Sequence, residues 1–201
     1  MENTLDAMYS HVEKTAKNKK MTQTLKALVI MKEKHAGQFR KGEDHLPYIV
    51  HPLKMACHAL SMQLFEDELI ATILLHDVVE DCNVSAEELD VNDIVRENVN
   101  NVSYKKLEGR TKEESITEYY KKIYGSRIAC LVKLIDRCNN VSTMATSFTR
   151  ERLVKYIGET EKYVLPLLEY VKKTYPEYGH VTFLIEYQIT SLLNSIKYLT
   201  T

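Results

Sequence analysis

Four polar side chains, His76, Asp77, Glu80 and Asp81, close the otherwise apolar run Leu74-Leu75-His76-Asp77-Val78-Val79-Glu80-Asp81. Burying an imidazole or a carboxylate without a partner costs on the order of a few kcal/mol or more, and a bound metal ion is the simplest compensation. Two other residues have the type and setting to join such a site. His51 precedes Pro52, whose fixed φ favours the first helical position, so the imidazole hangs from a constrained backbone. Asp136 interrupts the apolar stretch Leu131-Val132-Lys133-Leu134-Ile135-Asp136-Arg137, and Asn140 lies one turn later on the same face. Two imidazoles and two carboxylates make a mixed nitrogen and oxygen set suited to Mn²⁺, Fe²⁺, Co²⁺ or Zn²⁺, with positions left for water and a substrate oxygen. Glu80, three residues after Asp77 and four after His76, falls on the metal-facing side of a helix that continues that far. There it can take a proton from water. Arg40 and Lys41 stand in the loop before His51, where cations neutralise phosphate oxygens.

The elements that must position these groups read as helical. Only 6 Gly and 4 Pro punctuate the chain, and apolar residues recur three and four apart, which predicts an all-α bundle. One helix runs from Thr22 to Ala36 and stops at Gly37, and a basic, polar loop follows to Tyr48. The next starts at His51-Pro52 and turns Leu53, Ala56, Cys57 and Leu60 inward. The helix from Asp67 to Val79 buries Leu69, Ile70, Ile73 and Leu74. It places Asp77, Glu80 and Asp81 near a C-terminal end, where acids oppose the helix dipole unless a cation is close. Ser85-Ala86-Glu87-Glu88 has the pattern of a capping box opening a short helix. The stretch from Asn98 to Thr111 is polar and irregular and borders the site. Further helices are expected near 112–124, 126–141, 148–173 and 180–199, with a kink at Pro166 and a turn at 176–179. Neither an internal repeat nor a long linker is visible, so residues 1–201 read as a single domain.

Composition narrows the function. The 201 residues are 44% hydrophobic and 27% charged, with a formal net charge of −1. That balance argues against nucleic-acid backbones and anionic membranes as partners and leaves room for a small phosphorylated ligand. No stretch approaches the ~20 apolar residues that cross a bilayer, and the opening residues lack the order of a secretion signal, so a cytoplasmic location is expected. Cys57, Cys82, Cys130 and Cys138 show no metal-finger spacing and read as reduced, small hydrophobes. Of the 13 tyrosines most belong to core or boundary positions, with Tyr48 and Tyr156 placed to stack on a base or ribose. His35 reads as a helix-terminal cap, His58 as a partly buried surface residue, and His11, His45 and His180 as solvated.

The order His51, His76-Asp77, Asp136 resembles the signature of HD-superfamily metal-dependent phosphohydrolases. The surrounding words, His35-Ala36-Gly37-Gln38-Phe39-Arg40-Lys41-Gly42, Pro47-Tyr48-Ile49-Val50-His51-Pro52-Leu53 and the runs around His76 and Asp136, resemble the hydrolase domain of RelA/SpoT-type alarmone enzymes. The match covers about residues 22–163, with the C-terminal helices packing on it. The resemblance implies a helical HD domain that binds one Mn²⁺ through His51, His76, Asp77 and Asp136. It implies removal of the 3′-pyrophosphate of guanosine tetra- or pentaphosphate, (p)ppGpp, to give GDP or GTP; because the sequence ends before any synthetase domain of the long bifunctional enzymes, degradation alone is expected. Glu80 and Asp81 would activate and orient the attacking water, Asn140 would border metal and substrate, and Arg40 and Lys41 would meet the substrate. Small stand-alone relatives also carry an Arg-x-x-x-Tyr pattern, matched by Arg152 and Tyr156.

One departure bears on specificity. The family's Arg-Leu-His-Asn is replaced by Arg137-Cys138-Asn139-Asn140. Two alternatives therefore stay open: the same chemistry on an adenine alarmone, nucleoside monophosphate or phosphorylated dinucleotide, or a non-catalytic alarmone-binding module.

Overall fold

The structure, a computed structural model, describes residues 2–40 and 46–200. Lys41 and His45 lie outside the described residues. Regular structure among the described residues is helical throughout, in agreement with the all-α expectation, and no helix is long and apolar enough to cross a membrane.

Two compact units divide the chain. The first takes Met1–Gln38 and Pro47–Val132. Its helices are α1 (Glu2–Lys19), α2 (Thr22–Lys34), α3 (Val50–Ser61), α4 (Asp67–Leu75), α5 (Val78–Asp81), α6 (Asp93–Val102) and α7 (Lys112–Tyr124), together with the start of α8 (Arg127–Ser147). At its centre is α4, whose residues from Leu69 to Leu75 are all buried, with α2, α3 and α6 packed around it. A helix apolar on every side belongs in a core, and this one carries the His76-Asp77 pair at its end.

Caps explain where the elements start. The α2 N-terminus has no capping side chain of its own. Instead Asp67, the first residue of α4, accepts from the backbone N–H groups of Gln23 (2.9 Å) and Thr24 (2.7 Å) and from the Thr24 hydroxyl (2.8 Å). One carboxylate thus satisfies orphan donors of α2 while sitting at the favourable end of the α4 dipole, which locks the two helices in register. Asn92 caps α6 through the Val95 N–H at 3.0 Å. A full capping box, Thr111 with Glu114, opens α7.

The second unit takes Phe39–Leu46 and Lys133–Thr201. It holds the remainder of α8, then α9 (Arg150–Glu159), a π-helical turn (Thr160–Val164), α10 (Leu165–Thr174) and α11 (Gly179–Thr200). Both α9 and α10 pack on α11, burying Leu167, Leu168, Val171, Val181, Ile185 and Ile189. The expected kink at Pro166 takes the form of that π turn. Proline offers no N–H to the preceding turn, and one wide turn absorbs the mismatch without ending the helix.

Several boundaries differ from the sequence reading, among them the end of α8, expected at Val141 and found at Ser147. α1 was not anticipated, because its core contribution is sparse: Val12 and Ala16 are its fully buried apolar residues. The segment 98–102, expected to be irregular, completes α6. The Ser85 capping box does not form. Ala86–Glu88 is a single 3₁₀ turn without a side-chain cap, and the Ser85 hydroxyl bonds the Glu88 carboxylate instead (3.2 Å).

Candidate active site

The helix expected to run from Asp67 to Val79 breaks at His76 and Asp77: α4 ends at Leu75 and α5 begins at Val78. The His76 ring supplies a reason. Its Nδ1–H donates to the Ile73 carbonyl at 2.8 Å, the acceptor that the Asp77 N–H would use in a continuing helix. Asp77 therefore stands both directly after the C-terminal end of α4 and at the N-cap of the short α5.

This bend brings together three of the expected ligands within the first unit. Donor atoms of His51, His76 and Asp77 all lie within 4.8 Å of one another. Both imidazoles are almost fully buried, at 3% and 4% exposure, while Asp77 retains some access to solvent. His76 Nε2 is 2.9 Å from Asp77 Oδ2, and His51 Nε2 is 3.9 Å from the same oxygen. Because Nδ1 of His76 donates to a carbonyl, a neutral ring presents a lone pair at Nε2 to the carboxylate. A carboxylate oxygen at that distance from a ring nitrogen is held either by a proton on Nε2 or by a cation shared between the two atoms. Ligand atoms about 2.0–2.2 Å from a divalent ion sit about 3 Å apart around it, so the cluster fits a metal of the mixed nitrogen and oxygen class. The carbonyl bond to Nδ1 is the usual way in which a ligating histidine is oriented.

Tyr48 supports this cluster. Its hydroxyl makes a short hydrogen bond to Asp77 Oδ2, and its ring stacks on His35 (4.6 Å between centroids) and meets His51 edge-on (6.3 Å). Burial first, then the negative charges of Asp77 and Asp81, push the Tyr48 phenol far above its ordinary range, so it only donates. Tyr48, expected to stack on a base or ribose, has its hydroxyl on Asp77 and one ring face on His35. His35 does occupy the C-cap of α2, but its ring is buried, bonded to Gln38 Oε1 at 2.7 Å. It underpins Tyr48, a role its spacing in the sequence did not reveal.

Glu80 and Asp81 are exposed on α5. Glu80 accepts from the Tyr104 N–H at 3.0 Å, which ties the irregular stretch after α6 to the acid expected to handle water.

Other residues singled out in the sequence belong to the second unit. Asp136, nearly buried, accepts from Asn140 Nδ2 at 2.5 Å and pairs with Lys133 at 3.0 Å. Asn140 in turn accepts from Arg40 Nη2 at 3.2 Å. The sequence reading did not single out Lys133 as a partner of Asp136, although a spacing of three is that of a helical ion pair. Arg152 lies over the Phe148 ring at 3.7 Å, and Phe148 meets Tyr156 edge-on. Tyr156 carries the Arg137 guanidinium on its face at 4.0 Å, and Arg137 also bonds Thr160. Arg152 and Tyr156 thus share one aromatic cluster. His58 is half-buried, and burial lowers its pKa. His11 and His180 are exposed, as expected.

A helical domain with a buried His, His-Asp cluster is the arrangement that the HD-superfamily resemblance implies. No protein-family model matches the chain. The chain is 36% identical over 123 residues, 58% of its length, to the guanosine-3′,5′-bis(diphosphate) 3′-pyrophosphohydrolase of Vibrio cholerae. It is 31% identical over 177 residues, 83% of its length, to the protein of the same name from Aquifex aeolicus. It spans 17% and 23% of the lengths of these two relatives. Among solved structures, one described as a metazoan ortholog of SpoT that hydrolyzes ppGpp superposes with a TM-score of 0.64 at 22% identity, covering 86% of this chain and 94% of that one. That likeness establishes the fold. The chain therefore resembles RelA/SpoT-type hydrolase domains both in sequence and in architecture.

Proposed function

We propose that this chain hydrolyses the 3′-pyrophosphate of (p)ppGpp to GDP or GTP plus pyrophosphate, as a cytoplasmic, Mn²⁺-dependent enzyme. The observation that carries this reading is the His51, His76, Asp77 cluster, whose members occur in the order of the resembled motif. Asp136 is assigned as the fourth ligand on motif order. A bound divalent ion would supply water acidified to near-neutral pKa.

The chain's own residues do the rest. His76, oriented by the Ile73 carbonyl, and Asp77, oriented by Tyr48, hold preset positions. Glu80, with Asp81 beside it, takes the proton from the attacking water. The water oxygen joins the phosphorus of the departing pyrophosphate, the bond from that phosphorus to the 3′ oxygen breaks, and a proton passes to the 3′ oxygen. Arg40 and Lys41 neutralise phosphate oxygens, a role suited to a bidentate guanidinium and a point charge. Asn140 borders the site, and Arg152 and Tyr156 contact the nucleotide.

The test is a panel of nucleotides offered to chelator-stripped protein reloaded with Mn²⁺, with phosphate and pyrophosphate release measured separately. Pyrophosphate from guanosine tetraphosphate is the expected result. Turnover confined to an adenine alarmone, a nucleoside monophosphate or a phosphorylated dinucleotide refutes the substrate and keeps the chemistry. Nucleotide binding without any turnover refutes the enzyme and favours a binding module.

A further inference from the structure

Between α6 and α7 the chain runs from Ser103 to Thr111 outside any helix, yet both ends of this stretch are fixed by buried hydroxyl groups. A helix end leaves carbonyls without intrahelical partners, and at the end of α6 two side chains supply them. Ser103 donates to the Val99 carbonyl at 2.8 Å, and Tyr119 of α7 donates to the Val102 carbonyl at 2.8 Å, both in buried surroundings. Ser103 is extended, with φ −81° and ψ 118°, so the following N–H leaves the helical ladder. That N–H belongs to Tyr104, and it donates to Glu80 Oε2 at 3.0 Å. The Tyr104 ring meets the Tyr119 ring edge-on, with centroids 5.6 Å apart. Farther along, the Ser115 oxygen accepts from the Leu107 N–H at 3.1 Å and its hydroxyl donates to the Thr111 carbonyl at 3.0 Å, with the side chain buried. Gly109, at φ +71°, makes the turn between these two anchors. Lys105, Lys106, Glu108 and Arg110 are exposed, so it is α7 that fixes the stretch.

These anchors bear on Glu80. It is exposed on a helix of four residues, where a glutamate turns about several torsions. A general base must keep its oxygen within about 2.6–3.2 Å of the proton it removes. A backbone N–H on Oε2 restricts those torsions only as firmly as the N–H itself is held. With Glu80 as the proposed acceptor of the water's proton, the reading on which this rests, we infer that Tyr119 and Ser115 are positioning residues for Glu80. They act through the Tyr104 N–H: Tyr119 fixes the peptide before Ser103 and the ring of Tyr104, and Ser115 fixes the stretch three residues beyond it. A bond that merely capped α6 would stabilise the helix without regard to which group stands at position 80. A bond that sets the Tyr104 N–H matters to turnover through the Glu80 carboxylate.

Hydrogen exchange at the Tyr104 amide, followed by NMR on the full chain, tests the anchor without any turnover. The amide is expected to exchange at least ~10-fold more slowly than a free peptide amide, and to lose that protection in Glu80→Ala and in Tyr119→Phe, which keeps the ring and removes the hydroxyl. Turnover of guanosine tetraphosphate, or of whichever nucleotide the panel shows to be split, tests the consequence. Tyr119→Phe and Ser115→Ala are each expected to lower kcat by about 10-fold, inside the ~10²-fold that a 1 Å misplacement can cost, with the parent's KM and metal content. In a Glu80→Gln background, where no carboxylate remains to be placed, neither change lowers the residual rate further, whereas a general loss of structure repeats in full. Circular dichroism checks folding, and Ser115→Ala at the far anchor carries the test should Tyr119→Phe not fold. A parent that splits no nucleotide refutes the proposed function and leaves the exchange measurement to decide the anchor. A Tyr104 amide unprotected in the parent or indifferent to Glu80→Ala, a kcat within about twofold of the parent in both variants, or undiminished losses in the Glu80→Gln background overturns the inference.

Discussion

Replacing Tyr48 by Phe removes one oxygen and leaves the ring. The aromatic contacts with His35 at 4.6 Å and His51 at 6.3 Å are kept, so the change isolates the hydroxyl that donates to Asp77. A hydrogen bond to a charged group contributes about 1.5–3 kcal/mol. Loss of a residue that orients a ligand typically lowers metal affinity by about 10–100-fold, or about 1.4–2.8 kcal/mol, so two independent estimates agree. The pH dependence follows from the direction of the phenol's shift. Burial, Asp77 and Asp81 all raise its pKa, so the proton stays in place across neutral and moderately alkaline pH, and the deficit of the variant is constant there. Competition for Mn²⁺ against a chromophoric chelator, at neutral pH and again one to two units higher, reads the effect directly. Weaker binding by the same factor at both values, with an unchanged circular dichroism spectrum, is the expected outcome. Affinity within twofold of the parent refutes the claim that Tyr48 orients Asp77, whatever happens to turnover.

Further perturbations separate the roles of the other groups. Glu80→Gln keeps the ligand cluster and is expected to lower hydrolysis by about 10²–10⁴-fold while elemental analysis finds the parent's metal content; equal losses of metal and turnover would make Glu80 a ligand. Asp77→Ala lowers both metal content and melting temperature, and Asp136→Ala lowers metal content in the same way, whereas metal retained by the Asp136 variant restricts that residue to its bonds with Lys133 and Asn140. Burial raises the thiols of Cys130 and Cys138 to about 12, so both remain neutral at pH 8, and native protein should leave them unmodified by a thiol reagent that reaches all 4 cysteines after denaturation. Rapid modification of Cys138 in the native state would contradict its buried setting.

Much of the site was legible because its residues violate their surroundings. His76 and Asp77 end an apolar helix, and Asp136 interrupts another. Such breaks are visible without coordinates, and three of the four expected ligands do converge. The bend between α4 and α5 was not legible, since no glycine or proline marks it; a bond from the His76 ring to a backbone carbonyl produces it. The role of Tyr48 was hidden for a similar reason. Spacing shows which face a residue occupies but not which oxygen its hydroxyl finds. The capping of α2 by Asp67, 43 or 44 residues away in sequence, likewise leaves no local trace. Long helices in the C-terminal third were read nearly to their ends because their apolar periodicity is strong, whereas α1, with few buried residues, carries almost no such signal.

The central claim is that the His, His-Asp cluster holds a metal used to split the 3′-pyrophosphate from a guanosine alarmone. Chromatography of guanosine tetraphosphate incubated with the stripped protein, with and without added Mn²⁺, tests it most directly. GDP and pyrophosphate are expected in equal amounts, formed only when the metal is present and abolished in Asp77→Ala. Orthophosphate as the product, or equal turnover after the metal is removed, would contradict it.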